Sequence, residues 1–322
     1  MAARLPENIT RRMRLPLIAA PMLRVSGPDL VIAACKAGVV GSFPTANARS
    51  GAELDGWLTR INAELAAMEP PAAPWCANLI IRSPRMADDL ARLIRAKVEV
   101  VITSVGSPAA VVAPLRDAGC LVLADVATLR HAQKAIEAGA DGLVLLTAGA
   151  GGQTGWMNPF AFVRAVRAIF DGPIVLAGGV ADGQALWAAR ALGCDLAYMG
   201  TKLIATHESM AKDAYKAMLV EATLDDVMTT RAFTGLNTNM LLPSIRAAGL
   251  DPASLDEAVS VSSAAEMYGG GQAGPGRQRW VDVWSAGHSV SGVGVVQGVA
   301  EVIETTRREY LAAVAEVREM QP

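Results

Sequence analysis

Eight short apolar runs, helix start and stop signals between them, and glycine turns after the last two runs predict an α/β fold. It is a (β/α)8 barrel with an inserted, mainly helical substrate subdomain after strand 8. The runs are Leu17 to Pro21, Val39 to Phe43, Trp75 to Ile80, Val98 to Thr103, Cys120 to Val126, Gly142 to Thr147, Pro173 to Gly179 and Leu196 to Thr201. They do not alternate polar with apolar, which is the pattern of strands buried on both faces. Such strands run parallel, and parallel neighbours need helical crossovers.

The segments between the runs carry the helix signals. Ser83-Pro84, Ser107-Pro108 and Asn158-Pro159 each place a capping side chain before a proline suited to the first helical position; Ser26 and Thr128 are simpler caps. Lys36-Ala37-Gly38-Val39, Asp117-Ala118-Gly119-Cys120, Glu137-Ala138-Gly139-Ala140 and Ala191-Leu192-Gly193-Cys194 stop alike, with glycine where the chain must turn left-handed before the next strand. Eight βα units favour a closed barrel over an open doubly wound sheet.

After the eighth run the pattern changes. His207 to Ala222 reads as a helix, followed by a mixed stretch through Leu250 and the glycine-rich Gly269 to Gly276. Residues 206–290 are therefore expected to form the insert, and 1–205 with 291–322 the barrel. The last helix is expected near Val299 to Met320, with Val299, Val302, Ile303, Tyr310, Val314 and Val317 on its apolar face. That face can bury against the barrel or a second copy, so a homodimer is compatible. Because the chain leaves strand eight at the C-terminal mouth, the insert should overhang that mouth, with substrate between the two parts.

Composition removes several classes of function. In 322 residues, 52% are hydrophobic and 19% charged, and 29 basic against 31 acidic residues leave a net charge of -2 without long runs of one sign. Nucleic acid and acidic membrane surfaces are poor partners for such a chain. Arg4, Arg11, Arg12 and Arg14 interrupt any signal-like apolar stretch, and no window is apolar enough to span a membrane, so a cytoplasmic location is expected. The 4 cysteines, Cys35, Cys76, Cys120 and Cys194, lie far apart without ligand spacing, so reduced buried thiols are expected and no metal site.

Barrel chemistry sits at the C-terminal ends of the strands, and phosphate commonly binds after strands seven and eight. Those loops hold Ala177-Gly178-Gly179-Val180 and Gly200-Thr201, where glycine lets the backbone approach an anion and free N–H groups donate to it. A third cluster, Ala148-Gly149-Ala150-Gly151-Gly152-Gln153-Thr154-Gly155, follows strand six, and a backbone wrapped round a planar cofactor accounts for it better than a linker. At strand one, Ala19-Ala20-Pro21-Met22 forms an apolar edge suited to an aromatic ring, or simply the end of a buried strand.

In these motifs the chain resembles the nitronate monooxygenase family, formerly 2-nitropropane dioxygenases, and related quinone and enoyl reductases. The resemblance rests on Ala20-Pro21-Met22, Asn78, the Gly149 to Gly155 cluster, Ala177-Gly178-Gly179-Val180, Met199-Gly200-Thr201 and Trp284-Ser285-Ala286-Gly287. It implies a TIM barrel and non-covalently bound FMN. By position it implies that Ala20, Pro21, Met22, Asn78 and Asp125 meet the isoalloxazine, that Gly151, Gly152 and Gln153 cover its reactive region, and that Ala177, Gly178, Gly179, Gly200 and Thr201 hold the phosphate.

One departure matters. The family's glycine cluster normally ends in histidine, the base that removes the α-proton of a nitroalkane, and here that position is Gln153. A carboxamide does not take up a proton near neutral pH. Of the 3 histidines, His131 is expected on a surface helix and His207 at the start of the insert; His288, where the family's chain returns towards the flavin, is the candidate replacement acid or base beside Gln153. Three readings stay open. They are oxidation of alkyl nitronates with O2 and weak nitroalkane activity, FMN-dependent NAD(P)H reduction of a quinone, enone or acyl thioester, and a catalytically degenerate flavin-binding protein.

Overall fold

The structure, a computed structural model, describes residues 4–268 and 278–319. The glycine-rich Gly269 to Gly276 and Met320 lie outside the described residues. In chain order the strands are β1 (Leu17–Ala19), β2 (Val40–Pro44), β3 (Trp75–Ile80), β4 (Val100–Ser104), β5 (Leu121–Val126), β6 (Gly142–Leu146), β7 (Gly152–Gln153), β8 (Ile174–Ala177), β9 (Leu196–Met199), β10 (Val227–Thr230) and β11 (Thr238–Leu241). Eight of them, β1 to β6 with β8 and β9, close into a parallel barrel, sealed by Leu17 and Ala19 of β1 against Ala197 and Met199 of β9. Each predicted run supplies one barrel strand.

Period-two alternation decides what fills the barrel. Ile18, Val40, Cys76, Val100, Ile102, Leu123, Val144, Val175 and Leu196 point inward and pack together. The intervening residues point outward onto the helices, as Leu143, Leu145, Ile174 and Ala197 do against Phe162, Val163 and Leu186. Both faces are dry, hence the lack of polar alternation, and each fully buried Leu, Ile or Val contributes about 1.5–3 kcal/mol.

The helix stops fall as predicted, with Gly38, Gly119, Gly139 and Gly193 at φ of 88°, 78°, 85° and 107°. Starts are less uniform. Asn158 and Thr128 accept the expected amide hydrogen bonds, and Pro159 opens its helix. Ser83 and Ser107 lie too early: their helices begin at Met86 and Ala109, and each hydroxyl accepts from the amide two residues on, in a turn before the helix. Ser26 is no cap either; its hydroxyl accepts from Met22 N and donates to Ala20 O, bracing the chain after β1.

The insert contains the helices Asp213–Glu221, Leu242–Ala247 and Val261–Tyr268, the first starting six residues after the expected His207. It also contributes β10 and β11 to a small antiparallel sheet whose third member is β7, from the loop after β6. Helix Val299–Glu319 returns to the barrel wall, burying Val299, Val302 and Ile303 and setting Tyr310 edge-on to Trp187 at 6.0 Å; Val317, expected on the apolar face, is 38% exposed. All four cysteines are buried free thiols. Among the described residues no helix is long and apolar enough to cross a membrane.

Candidate functional site

At the C-terminal ends of the strands the inward-facing series changes character. Two residues beyond Cys76, Ile102, Leu123 and Leu196 come Asn78, Ser104, Asp125 and Tyr198, so the same alternation that fills the barrel ends it in a polar layer. These four form part of the floor of a cavity of about 410 Å³, within the range of small-molecule sites. Ser104 donates to Asn78 at 3.2 Å, and Asn78 to Ile102 O at 3.3 Å. Asp125 Oδ1 and the Tyr198 hydroxyl are buried and have no hydrogen-bond partner among the described residues. Desolvation raises the Asp125 carboxyl to about 7, and burial together with the Asp125 charge raises the Tyr198 phenol well above its usual range. Buried polar atoms of this kind are normally paired, so the floor is built to meet polar atoms of something placed on it.

Every residue marked from the sequence as cofactor-contacting lines this cavity: Ala20, Pro21 and Met22 after β1, Asn78 and Asp125 on the floor, Gly151, Gly152 and Gln153 in the loop after β6, and Ala177, Gly178, Gly179, Gly200 and Thr201 after β8 and β9. Gly178 and Gly179 have φ of 126° and 79°, which a side chain would strain. A Cβ on Gly178 would lie 2.6 Å from Thr147 Oγ1, whereas one on Gly179 would meet no atom within 4 Å and would project into open space. Among the described residues the amides of Gly179 and Val180 have no acceptor. Thr201 Oγ1 accepts from Gly287 N at 2.9 Å, leaving its proton for a bound oxygen. Free amides and a hydroxyl proton beside open space are the groups from which an anion cradle can be built.

The glycine cluster after β6 lines the cavity and also meets a close packing demand. A Cβ on Gly151 would lie 2.8 Å from Gly287 N, and one on Gly155 2.1 Å from Leu146 O. At Gly149 and Gly151 the loop backbone crosses residues 286–288, and His288 N donates to Gly149 O at 2.9 Å; at Gly155 it passes the end of β6. Its tip then runs as β7, with Gln153 opposite Thr238 and Gly152 opposite Asn239 of the insert, and Asn239 Nδ2 holds Ala150 O at 2.8 Å. Gln153 is thus an exposed side chain on a pinned backbone at the cavity wall.

His288 is exposed, with its ring beside Gly149, and is not among the cavity-lining residues; its neighbour Ser289 is. His131 and His207 are exposed. The sequence did not single out Tyr198, Arg279 or Trp280, all of which line the cavity. Tyr198 had a signal, as the one polar residue of strand β9, two places before Gly200. Arg279 and Trp280 lie beyond the glycine-rich stretch, where no periodicity marks them. Arg279 forms no ion pair among the described residues and donates to Phe233 O at 3.1 Å.

An eight-stranded parallel barrel with a polar floor and free amides at its C-terminal mouth defines a barrel with a small-molecule cavity, and its relatives sort the class further. The family profile of nitronate monooxygenases matches residues 75–267, more than half of the chain, and the protein belongs to that family. Among solved structures, FabK from Thermotoga maritima superposes with a TM-score of 0.82 at 25% identity, covering 98% of this chain and 100% of that one. A nitroalkane oxidase from Streptomyces ansochromogenes gives 0.76 at 26% identity, covering 95% and 99%. Among curated proteins, a nitronate monooxygenase of Paraburkholderia phytofirmans is 28% identical over 76% of this chain and 78% of its own length. A hydroxy-methyl-oxo-octahydroindene-carboxyl-CoA dehydrogenase of Rhodococcus jostii is 28% identical over 70% of this chain, and the match spans only 62% of that enzyme.

Proposed function

We propose that the chain binds FMN without covalent attachment and oxidises alkyl nitronates with O2, acting poorly on neutral nitroalkanes. The observation that carries the FMN reading is the convergence, in one cavity, of the Gly178–Gly179 and Thr201 anion cradle with the partnerless Asp125 and Tyr198 on the floor. A planar heterocycle rich in polar atoms and ending in a phosphate answers both features. FMN bound there supplies the electron-transfer chemistry between donor and acceptor.

The chain's own residues do the rest. Gly178, Gly179, Gly200 and Thr201 hold the phosphate; Ala20, Pro21 and Met22 give the ring an apolar edge; Asn78 and Asp125 offer hydrogen bonds below it. Gln153 presents an amide that donates to a substrate oxygen and removes no proton. The half-buried Arg279 cation, which has no carboxylate partner among the described residues, favours an anionic substrate such as a nitronate over its neutral parent. Residues 206–290 serve as the substrate side, closing over the mouth through Leu236, Val261 and Ser285.

A second reading is FMN-dependent reduction or dehydrogenation of a quinone, enone or acyl thioester with a pyridine nucleotide. It is favoured by the likeness to FabK and to a CoA-ester dehydrogenase. Anaerobic mixing of the yellow protein with propyl nitronate, NADH and NADPH in turn separates the two: bleaching of the flavin absorbance by the nitronate alone supports the first, and bleaching by a pyridine nucleotide overturns it in favour of the second. A colourless protein that takes up no FMN sinks both.

A further inference from the structure

A second cavity, of about 330 Å³, shares Val25, Tyr215 and Trp280 with the first as a common wall. It is also lined by Arg24 and Arg49, in the loops after β1 and β2, and by Lys212 of the insert. Arg24 and Arg49 are exposed, and neither guanidinium has an ion pair or hydrogen bond among the described residues. Lys212 Nζ donates to Val281 O at 3.1 Å and lies 4.0 Å from Asp282. Glu53 is the one acidic residue in the lining, and its carboxylate is held by Arg49 N at 2.6 Å, so the lining keeps an excess of positive charge. The indoles of Trp57, Trp280 and Trp284 interleave with these cations, and Trp284 stacks on Tyr215 at 5.0 Å and 13°. Two residues of the lining, Arg24 and Trp280, are held at φ of 62° and 68°, a left-handed backbone that costs such side chains energy and that the surroundings must enforce.

Guanidinium and ammonium groups without carboxylates recognise phosphate, and indole faces stack on a heterocyclic base. A pocket holding both, joined to a redox cavity through a shared wall, fits one molecule that reaches across it. The main cavity cannot take such a molecule's phosphates as well, since beyond its anion cradle Arg279 is its only cationic side chain among the described residues. We propose that this second cavity binds the phosphorylated adenosine end of a co-substrate whose reactive end enters the main cavity. Two co-substrate classes carry that end, a pyridine dinucleotide phosphate and a coenzyme A thioester, and the shared chemistry is an adenosine bearing a ribose phosphate and a diphosphate. The proposal rests on the second functional reading above and adds to it a site and the residues that hold the tail.

The test uses fragments with no reactive end, so that it is independent of turnover. Adenosine 2′,5′-bisphosphate and adenosine 3′,5′-bisphosphate are titrated into the FMN-loaded protein, following tryptophan fluorescence and heat. One of them is expected to bind and quench, with affinity falling as salt is raised. The double variant R24A/R49A should weaken that binding at least tenfold and keep its FMN content. Preference for the 2′-phosphate identifies the pyridine nucleotide as the source, and preference for the 3′-phosphate identifies the thioester. The proposal is overturned if neither fragment binds at millimolar concentration, or if the variant binds as tightly as the parent. Failure of the flavin reading shows separately, as a protein that purifies colourless and takes up no FMN.

Discussion

Position 153 offers a clean exchange of chemistry on a fixed frame. Because β7 pairs Gln153 with Thr238 and Asn239 holds Ala150, a histidine there inherits the backbone position and alters only the side chain. Base catalysis commonly contributes about 10² to 10⁴ in rate. Gln153→His should therefore raise nitroalkane oxidation by up to that factor while nitronate turnover changes little; oxygen-electrode rates with both substrates decide it, and no gain on the nitroalkane means that the pocket is shaped for something else. Asp125 makes a second prediction at this scale. Its carboxyl is raised to about 7 by desolvation, far above the roughly 3.9 of an unfolded aspartate, so the folded state binds the proton more tightly than the unfolded one. The stability it contributes is complete below pH 4 and is lost as pH rises through 7. Asp125→Asn removes this dependence. In denaturant melts of the flavin-free protein its stabilising effect should grow from pH 4 to pH 7 and level off above, and an effect independent of pH would show the carboxyl to be solvated.

The loop between β8 and the helix Gly183–Leu192 tests the anion cradle. Gly179→Ala meets no protein atom but puts a methyl group into the space that the cradle encloses, at a φ of 79° that costs about 1–2 kcal/mol for a residue with a Cβ. The variant should fold, with a melting temperature a few degrees lower, yet bind FMN at least tenfold more weakly in a fluorescence titration. Unchanged FMN affinity would move the phosphate elsewhere. The same scale shows where local signals went astray. Ser83 and Ser107 have the side chains of helix caps, but a hydroxyl bonded two residues ahead makes a turn equally well, and only the path of the following helix decides between them.

Across the whole molecule the four thiols report how completely the barrel is closed. Burial raises Cys35, Cys120 and Cys194 to about 12 and Cys76 well above its ordinary range. At pH 8 all four are protonated and shielded. A disulfide reagent should therefore label none in the native protein within minutes and all four after denaturation; rapid labelling of even one in the native state would show that the wall opens locally. The thiols also illustrate how much was legible. Cys120 and Cys194 each follow a helix-stopping glycine and open an apolar run, a local pattern that marks them as core residues from the sequence alone.

The barrel was determined by the sequence alone, because its signals are local: apolar runs of strand length, a left-handed glycine at each helix stop, and glycine turns after the last two strands. Part of the cavity lining was legible as well, in the glycine turns after the last two strands and in the motifs that carry the family resemblance. Tertiary structure decided what depends on distant segments meeting. Gly151, read from the sequence as part of a cofactor wrap, lines the cavity and also sits where the loop meets the backbone at Gly287, a contact that the sequence did not record. The exposed His288, conspicuous in the sequence, lies outside the cavity lining, while Arg279, eight positions before Gly287 and without any pattern round it, lies within it. Contacts between loops are set by the barrel's closure, which brings residues from every strand end to one mouth, and no periodicity in the chain records which of them will face inward.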